Sequence, residues 1–440
     1  MTKYPNARFA VISDLHFYDT SLGCEGSAFE NEMDLDRKML IESEELLDYT
    51  IENLLESDIQ FLLVCGDLTK DGEALNHKRL SAKLQVLAEH GIKVIVTPGN
   101  HDINNFSAVE FSGEIKSSVE SISSEDFKEI YAKMGFEDSL MSDDSSLSYV
   151  SEPVPGLWVI AIDACRYDEN RADGIPSVVG GAIKKGTEQW LKNVLSQARE
   201  NGKAVIALLH HGVVEHWDGQ ARLHPDCLLK DYNRIGRLLA SNNVSFVFTG
   251  HNHAQNIARA DFSGNILHDV GTGSLVTYPC PVRHCNISNN RITIVTQTIA
   301  DKLNTTSDFS DIAKGVIKKS VAVTSISDLR GYRVSDSDAE YIAKELGEAF
   351  VAHYSGDANK ESRQKFELNK LTLWGKFIFA IQQRYVIDPL WKSASQRNNH
   401  TVISLKPELA GEKYWGVEEF LSRVRRFSAE WTFERKEVEL

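Results

Sequence analysis

"RFAVISDLH", Arg8 to His16, runs from an apolar stretch of strand-forming residues straight into an aspartate and an imidazole two positions apart. A strand ending on Asp14 and His16 delivers a carboxylate and a nitrogen donor to one end of a sheet. The arrangement recurs. "IQFLLVCGD" ends on Asp67, "IKVIVTPGNHD" on Asn100, His101 and Asp102, "KAVIALLHH" on His210 and His211, and "VSFVFTGHNH" on His251 and His253. Each motif alone has a bland reading, because Asp at a strand end is commonly a turn residue and a single His is commonly structural. Five in order weigh differently. In layered α/β folds ligands gather beyond the carboxyl ends of strands, so residues far apart in sequence converge.

Between the strands lie amphipathic segments, which predicts stacked β and α layers. Leu47, Ile51, Leu54 and Leu55 at helical spacing mark a helical segment near Leu35 to Ser57, and a second runs from Ala74 to His90 and stops at Gly91. Further strands are expected at "LWVIAID" and "RITIVTQT". Residues 106–149 are polar and broken, with one helix at "SSEDFKEIYAKMGF" that Ser124 can cap, and read as an insertion at the edge of the site. Past Leu303 the strand runs fade. Helical spacing at Ser335 to Tyr354, Lys370 to Tyr385 and Val417 to Phe427 predicts a catalytic domain over 1–302 and an all-α domain over 303–440. Trp374, Phe377, Phe379 and Tyr385 read as core or interface packing of that helical part.

The chain of 440 residues is too long for one ordinary core, and no stretch of 18 apolar residues predicts a membrane span. A formal charge of -15 argues against a sequence-independent grip on nucleic acid, which depends on clustered Lys and Arg. The six cysteines are scattered, several within apolar runs, and are expected as free thiols. Cys280, His284 and Cys285 lack the further ligands of a structural zinc site. The N-terminus enters a strand at once, without a basic region and apolar leader, so the chain as given reads as cytoplasmic; a trimmed signal peptide would leave the same pattern. The oligomeric state has no signature.

Imidazole, carboxylate and amide donors suit divalent transition ions, and this many suit two ions better than one. In extended backbone, residues i and i+2 point to one side, so Asp14 with His16, and His251 with His253, are expected to offer paired donors. Gly66, Gly99 and Gly250 permit tight turns beside them. No Ser or Cys nucleophile stands out, and "GTGS" at Gly271 to Ser274 lacks the Lys of a phosphate loop and reads as a turn toward the substrate rim. His101 is placed for the leaving group, with Asp102 as the acceptor that orients it. His211 either reaches the phosphate or points into the core, and Arg166, with Tyr167 and Asn170, follows a strand toward the same rim.

"DLH", "GDLTKDG", "GNHD", "LLHH" and "GHNH" resemble, in the same order, the five blocks of the calcineurin-like metallophosphoesterases, over roughly residues 8 to 300. The resemblance implies a four-layer α/β/β/α sandwich. It also implies two divalent ions (manganese, iron, zinc or cobalt), one held by Asp14, His16, Asp67 and His253, the other by Asp67, Asn100, His210 and His251, with Asp67 bridging. Hydroxide between the ions is then the implied nucleophile. "LTKDGE", the "SEDFKEIYAKMGF" insertion, "GTGSLVTYP" and the helical C-terminal third are similar to bacterial class III cyclic-nucleotide phosphodiesterases. The implied substrate is a cyclic nucleotide or another small phosphodiester, with Asn100, His101, His211 and Arg166 as contacts; a phosphomonoesterase or nucleotide pyrophosphatase is the alternative. A non-catalytic scaffold would be expected to have lost ligands, yet every position is filled.

Overall fold

The computed structural model describes residues 3–303, 308–357, 363, 366–394 and 396–405. The strands, in chain order, are β1 (Ala7–Ile12), β2 (Phe61–Val64), β3 (Lys93–Val96), β4 (Val109–Ser112), β5 (Ile115–Ser118), β6 (Met141–Ser142), β7 (Tyr149–Val154) and β8 (Leu157–Ile162). They continue with β9 (Ala204–Leu209), β10 (Phe246–Thr249), β11 (Asn256–Phe262), β12 (Asn265–Gly271), β13 (Pro281–Ser288), β14 (Arg291–Thr298) and β15 (His400–Ser404). Two large sheets result, one ordered β15-β14-β13-β1-β2-β3 and the other β11-β12-β10-β9-β8-β7-β6, while β4 and β5 pair with each other in a separate two-stranded sheet. Strands β1, β2 and β3 are parallel, as are β8, β9, β10 and β12, so within each group the carboxyl ends emerge together.

Apolar residues fill both faces of the central strands, as expected where a sheet is covered on both sides. Phe9 of β1 stacks on Phe61 of β2 at 4.7 Å and meets Phe248 of the facing sheet edge-on at 5.4 Å. The outer face of the first sheet packs on Leu46, Leu47 and Leu54 of the helix Ser43–Leu55, and on Leu80, Leu84 and Leu87 of the helix Ala74–Glu89. The outer face of the second packs on Leu191, Val194 and Leu195 of Lys185–Glu200, and on Ile235 and Leu239 of Tyr232–Ser241. The four-layer sandwich is therefore present.

Three local expectations differ from the structure. The helix within Leu35 to Ser57 starts only at Ser43, because the Asp36 carboxylate accepts the backbone N–H groups of Arg37 and Lys38 (2.7 and 3.1 Å) and folds the preceding stretch as a turn. In the insertion, the helix Ser124–Ile130 is capped by Ser123, which closes a capping box with Asp126. That helix buries Phe127 and Tyr131 rather than edging the site; the Tyr131 hydroxyl lies 2.9 Å from His77 Nδ1, and His77 Nε2 lies 2.9 Å from the Asp102 carbonyl. The insertion thus supports the loop of Asn100 to Asp102 from behind.

The C-terminal part carries the helices Phe309–Gly331, Asp336–Ser355, Leu373–Gln382 and Asp388–Ser393 and buries its own core around Ile317, Ile342, Leu346, Ile378 and Phe379. It is not all-α: β15 returns to pair antiparallel with β14, where the β-branched "TVI" of "HTVIS" extends the edge of the first sheet. Ala254, one residue past His253, belongs to the helical core, so this part docks directly behind a metal-motif loop. The Tyr354 carbonyl accepts the Gln255 N–H at 3.0 Å, and the Ser393 carbonyl accepts Asn256 Nδ2 at 3.1 Å. The helix expected at Val417 to Phe427 lies outside the described residues.

Candidate metal centre

Asp14, His16, Asp67, His251 and His253 all follow strand ends, and all have left-handed backbone, with φ of 49°, 37°, 48°, 66° and 52°. The expectation that Asp14 with His16, and His251 with His253, sit on extended chain is therefore wrong; Asp14 and His16 still meet in one donor group, whereas His251 and His253 fall in different ones. Left-handed turns curl the chain so that donors from neighbouring loops face one another, at a cost of ~1 to 3 kcal/mol per residue that surrounding contacts must offset. Those contacts are visible. The His251 N–H donates to both Asp14 carboxylate oxygens (3.1 and 3.0 Å), the Ser13 hydroxyl donates to Asp14 Oδ2 (2.5 Å), and the His101 N–H donates to Asp67 Oδ1 (2.9 Å). Closeness also requires glycine: a Cβ on Gly99 would collide with the Asp67 carboxylate, and one on Gly250 with Ser13 and Asp14.

The donors form two groups that share one carboxylate. Asp14, His16, Asp67 and His253 bring one ligand atom each within 4.8 Å of one another, and so do Asp67, His210 and His251. His16 Nε2 lies 3.2 Å from His253 Nε2, and His251 Nδ1 lies 3.1 Å from His210 Nε2. Asp67 Oδ2 is 3.2 Å from His210 Nε2 and 3.7 Å from His16 Nε2. Asn100 Oδ1 joins the second group, 3.2 Å from His210 Nε2. His210 Nδ1 is 2.7 Å from the Cys65 carbonyl, an acceptor that places the proton on Nδ1 and leaves the Nε2 lone pair for a cation. Burial lifts the Asp67 carboxyl, but the imidazoles of His210 and His101 outweigh it and hold the group well below the usual carboxylate range. Burial pushes the His16 and His251 imidazoles well below theirs, which favours the neutral, ligating form.

The family model for calcineurin-like phosphoesterases matches residues 7–255, the stretch that carries every one of these donors. The chain belongs to this family. Solved structures similar to the phosphoesterase include a dimetal phosphatase from Danio rerio, at 17% identity over 67% of this chain and 97% of that one, with a TM-score of 0.48. A purple acid phosphatase from yellow lupin (Lupinus luteus) seeds is 12% identical over 69% and 54% of the two chains, with a TM-score of 0.41. The sulfate thiohydrolase SoxB of Thermus thermophilus is 14% identical over 73% and 61%, with a TM-score of 0.38. The curated proteins give no match.

Around the phosphoesterase's donor groups, the remaining residues fall into place or out of it. His101 stands beside them, its ring edge-on to His16 at 4.9 Å, and its side chain keeps 29% exposure where His16 and His210 keep 0% and 1%. Its orienting partner is Asp71, whose Oδ1 is 2.8 Å from His101 Nδ1, and not Asp102. Asp102 is turned away because its carboxylate accepts three backbone N–H groups, from Leu68 (2.8 Å), Thr69 (3.0 Å) and Gly99 (2.8 Å), and so ties the Asp67 loop to the Asn100 loop. Burial, helped by the Asp67 charge, pushes the Asp102 carboxyl up to about 7 against those donors. Asp71 was missed in the sequence; its signal is a second carboxylate four residues after Asp67 in "GDLTKDG".

His211 lies beside the second donor group, its ring 4.6 Å from that of His251 and its Nε2 2.8 Å from the Val179 carbonyl, and burial pushes the ring down to about 3. The Arg166 guanidinium donates Nε and Nη2 to the Glu169 carboxylate (2.8 and 2.6 Å). Tyr167 donates to Asp163, and Asn170 donates to the Asn104 carbonyl, both within the scaffold. The "GTGS" turn supports the ligand loop rather than the rim, because the Ser274 hydroxyl donates to the Asp14 carbonyl at 2.7 Å. All six cysteines are free, and His284 lies against Gln297.

Proposed function

We propose that the chain is a binuclear metal-dependent phosphodiester hydrolase acting on a small organic phosphodiester such as a cyclic nucleotide. The observation that carries this reading is the pair of donor groups joined through Asp67, with a half-open His101 at their edge. Asp14, His16, Asp67 and His253 would hold one divalent ion, and Asp67, Asn100, His210 and His251 the other. When bound, two such ions supply charge stabilisation for phosphoryl oxygens and lower the pKa of water between them. The chain does the rest. Asp71 fixes the ring of His101 through Nδ1 and favours its protonated form, leaving Nε2 as the nitrogen from which a proton passes to a departing alkoxide. A diester needs that proton, since an alkoxide is a poor leaving group.

The metal-reconstituted enzyme, offered bis(p-nitrophenyl) phosphate, p-nitrophenyl phosphate and 3',5'-cyclic AMP, tests the proposal. Turnover of the diester and the cyclic nucleotide well above that of the monoester is expected. Preference for the monoester would replace this reading with a phosphomonoesterase.

A further inference from the structure

The helix Leu373–Gln382 is inverted in character. It buries Gly375, Ile378 and Phe379 and turns Leu373, Trp374, Phe377 and Ile381 outward, at 86%, 48%, 56% and 41% exposure. These positions share one helical face, which Tyr385 (39% exposed) extends into the following turn. A surface helix ordinarily presents its polar side to water, and an apolar stripe of this kind marks a binding surface. Trp374 stacks on Phe377 at 5.3 Å and donates its indole N–H to the carbonyl of Tyr332, itself 60% exposed, so the patch is held in shape.

Charge identifies the occupant. The whole chain carries a formal charge of -15, yet residues 368–387 hold Lys370, Lys376 and Arg384 and no aspartate or glutamate; Lys370 pairs with Glu367 at 3.1 Å, so Lys376 and Arg384 are the cations that flank the patch. Arg384 and Arg222 both lie over the Tyr385 ring, each at 5.3 Å. Aromatic and aliphatic side chains flanked by Lys and Arg on a short helix are the chemistry of an anionic lipid surface, where the rings enter the headgroup boundary and the cations meet phosphate. No helix among the described residues is long and apolar enough to cross a membrane, so the contact is in the plane of the surface. We propose that this face docks the enzyme on an anionic phospholipid bilayer.

The test is co-sedimentation of the full chain with vesicles of phosphatidylcholine alone and of an equal mixture with phosphatidylglycerol. Binding to the mixed vesicles that weakens with added salt is expected. Leu373→Ser with Phe377→Ser should weaken it at least about tenfold, and Lys376→Glu with Arg384→Glu should abolish the preference for the anionic mixture. Both variants should keep the soluble-substrate activity and melting behaviour of the parent, which separates lost docking from lost fold and leaves the reading of the metal site untouched. Three results would overturn the proposal: no binding to mixed vesicles, a lipid-free dimer that Phe377→Ser dissociates, or strong protection of Trp374 and Phe377 from hydroxyl-radical footprinting without lipid. The second would assign the face to another copy of this chain, and the third to a cover already present in solution.

Discussion

Replacing Asp71 with asparagine tests the site where sequence and structure part company. Asp71→Asn keeps size and one oxygen for His101 Nδ1 but removes the charge that makes the 2.8 Å contact a charge-assisted bond. Such a bond is worth ~1.5 to 3 kcal/mol against roughly half that for a neutral one, so about 1 to 2 kcal/mol of the stabilisation of protonated His101 is lost. In rate this is about five- to thirtyfold in kcat. The loss should concentrate on substrates with poor leaving groups, because nitrophenolate departs without a proton. Metal content by elemental analysis should remain that of the parent, and Asp71→Asn combined with His101→Ala should cost no more than His101→Ala alone. Equal losses on alkyl and nitrophenyl esters, or additive effects in the double variant, would refute the chain from Asp71 through His101 to the leaving group. Because Asp71 also accepts from Lys70 (2.5 Å), an unfolding curve measured alongside separates a stability effect from a catalytic one.

Asp67→Asn should abolish turnover and lower the bound metal count, and full activity with both ions retained would end its assignment as the shared ligand. Asp102→Asn sets an amide N–H against one of three backbone donors that now meet a carboxylate, and should cost ~2 to 3 kcal/mol in urea unfolding, with metal affinity weakened through the displaced loops. An unchanged unfolding curve would show that the two loops do not depend on it. His353 is buried, lies 2.7 Å from the Ser393 hydroxyl through Nδ1, and is pushed by burial down to about 3 from an ordinary 6.5. Only the unfolded chain binds that proton between these values, so its stability contribution is complete above pH 6.5 and is lost as pH falls toward 3, at ~1.4 kcal/mol per pH unit. His353→Gln should flatten the dependence of unfolding free energy between pH 6.5 and 5 by about that slope, and an identical slope in both proteins would sink the assignment.

The catalytic sandwich was legible because its strands and its ligands announce each other. An apolar run such as "FVFT" buried on both faces reads as a central strand, and "GHNH" after it reads as a loop at the carboxyl end. The β11 to β13 region was less legible: "NIARADF" and "NILHDVG" mix charge with apolar residues, and their pairing, antiparallel with each other and parallel between β12 and β10, makes them strands. β15 depends on a partner far away in sequence, which no local pattern reveals. Hydrogen-bond partners were hidden for the same reason. Adjacency suggested Asp102 for His101, but in a tight turn neighbouring side chains diverge, and the carboxylate that reaches the ring comes from the Asp67 loop.

The left-handed backbone of five donors sharpens that lesson into a statement about how the site is held. Asp14, His16, Asp67, His251 and His253 would each relax by returning to ordinary φ, because Asp and His tolerate the left-handed form better than most side chains but lack the freedom of glycine. What keeps them there is a web of short bonds from rigid neighbours: Gly66 and Asp67 carbonyls accept the N–H groups of Asp14 and His16 at 3.0 Å, and Ser274, Ser13 and His251 close around Asp14. The strain and the web belong together, since a ligand free to relax would let the donors drift apart and would have to be reordered each time cations bind. A fold that fixes the loops beforehand leaves metal binding to supply only the charge. The helical C-terminal part enters this same web, through the Tyr354 carbonyl on Gln255 and through Ala254 in its core, two residues and one residue past His253. It therefore acts as a brace on the ligand loop, and substitutions on the docked side of Asp336–Ser355 are expected to reach the metal site through His253, whereas those on the outward face of Leu373–Gln382 are not.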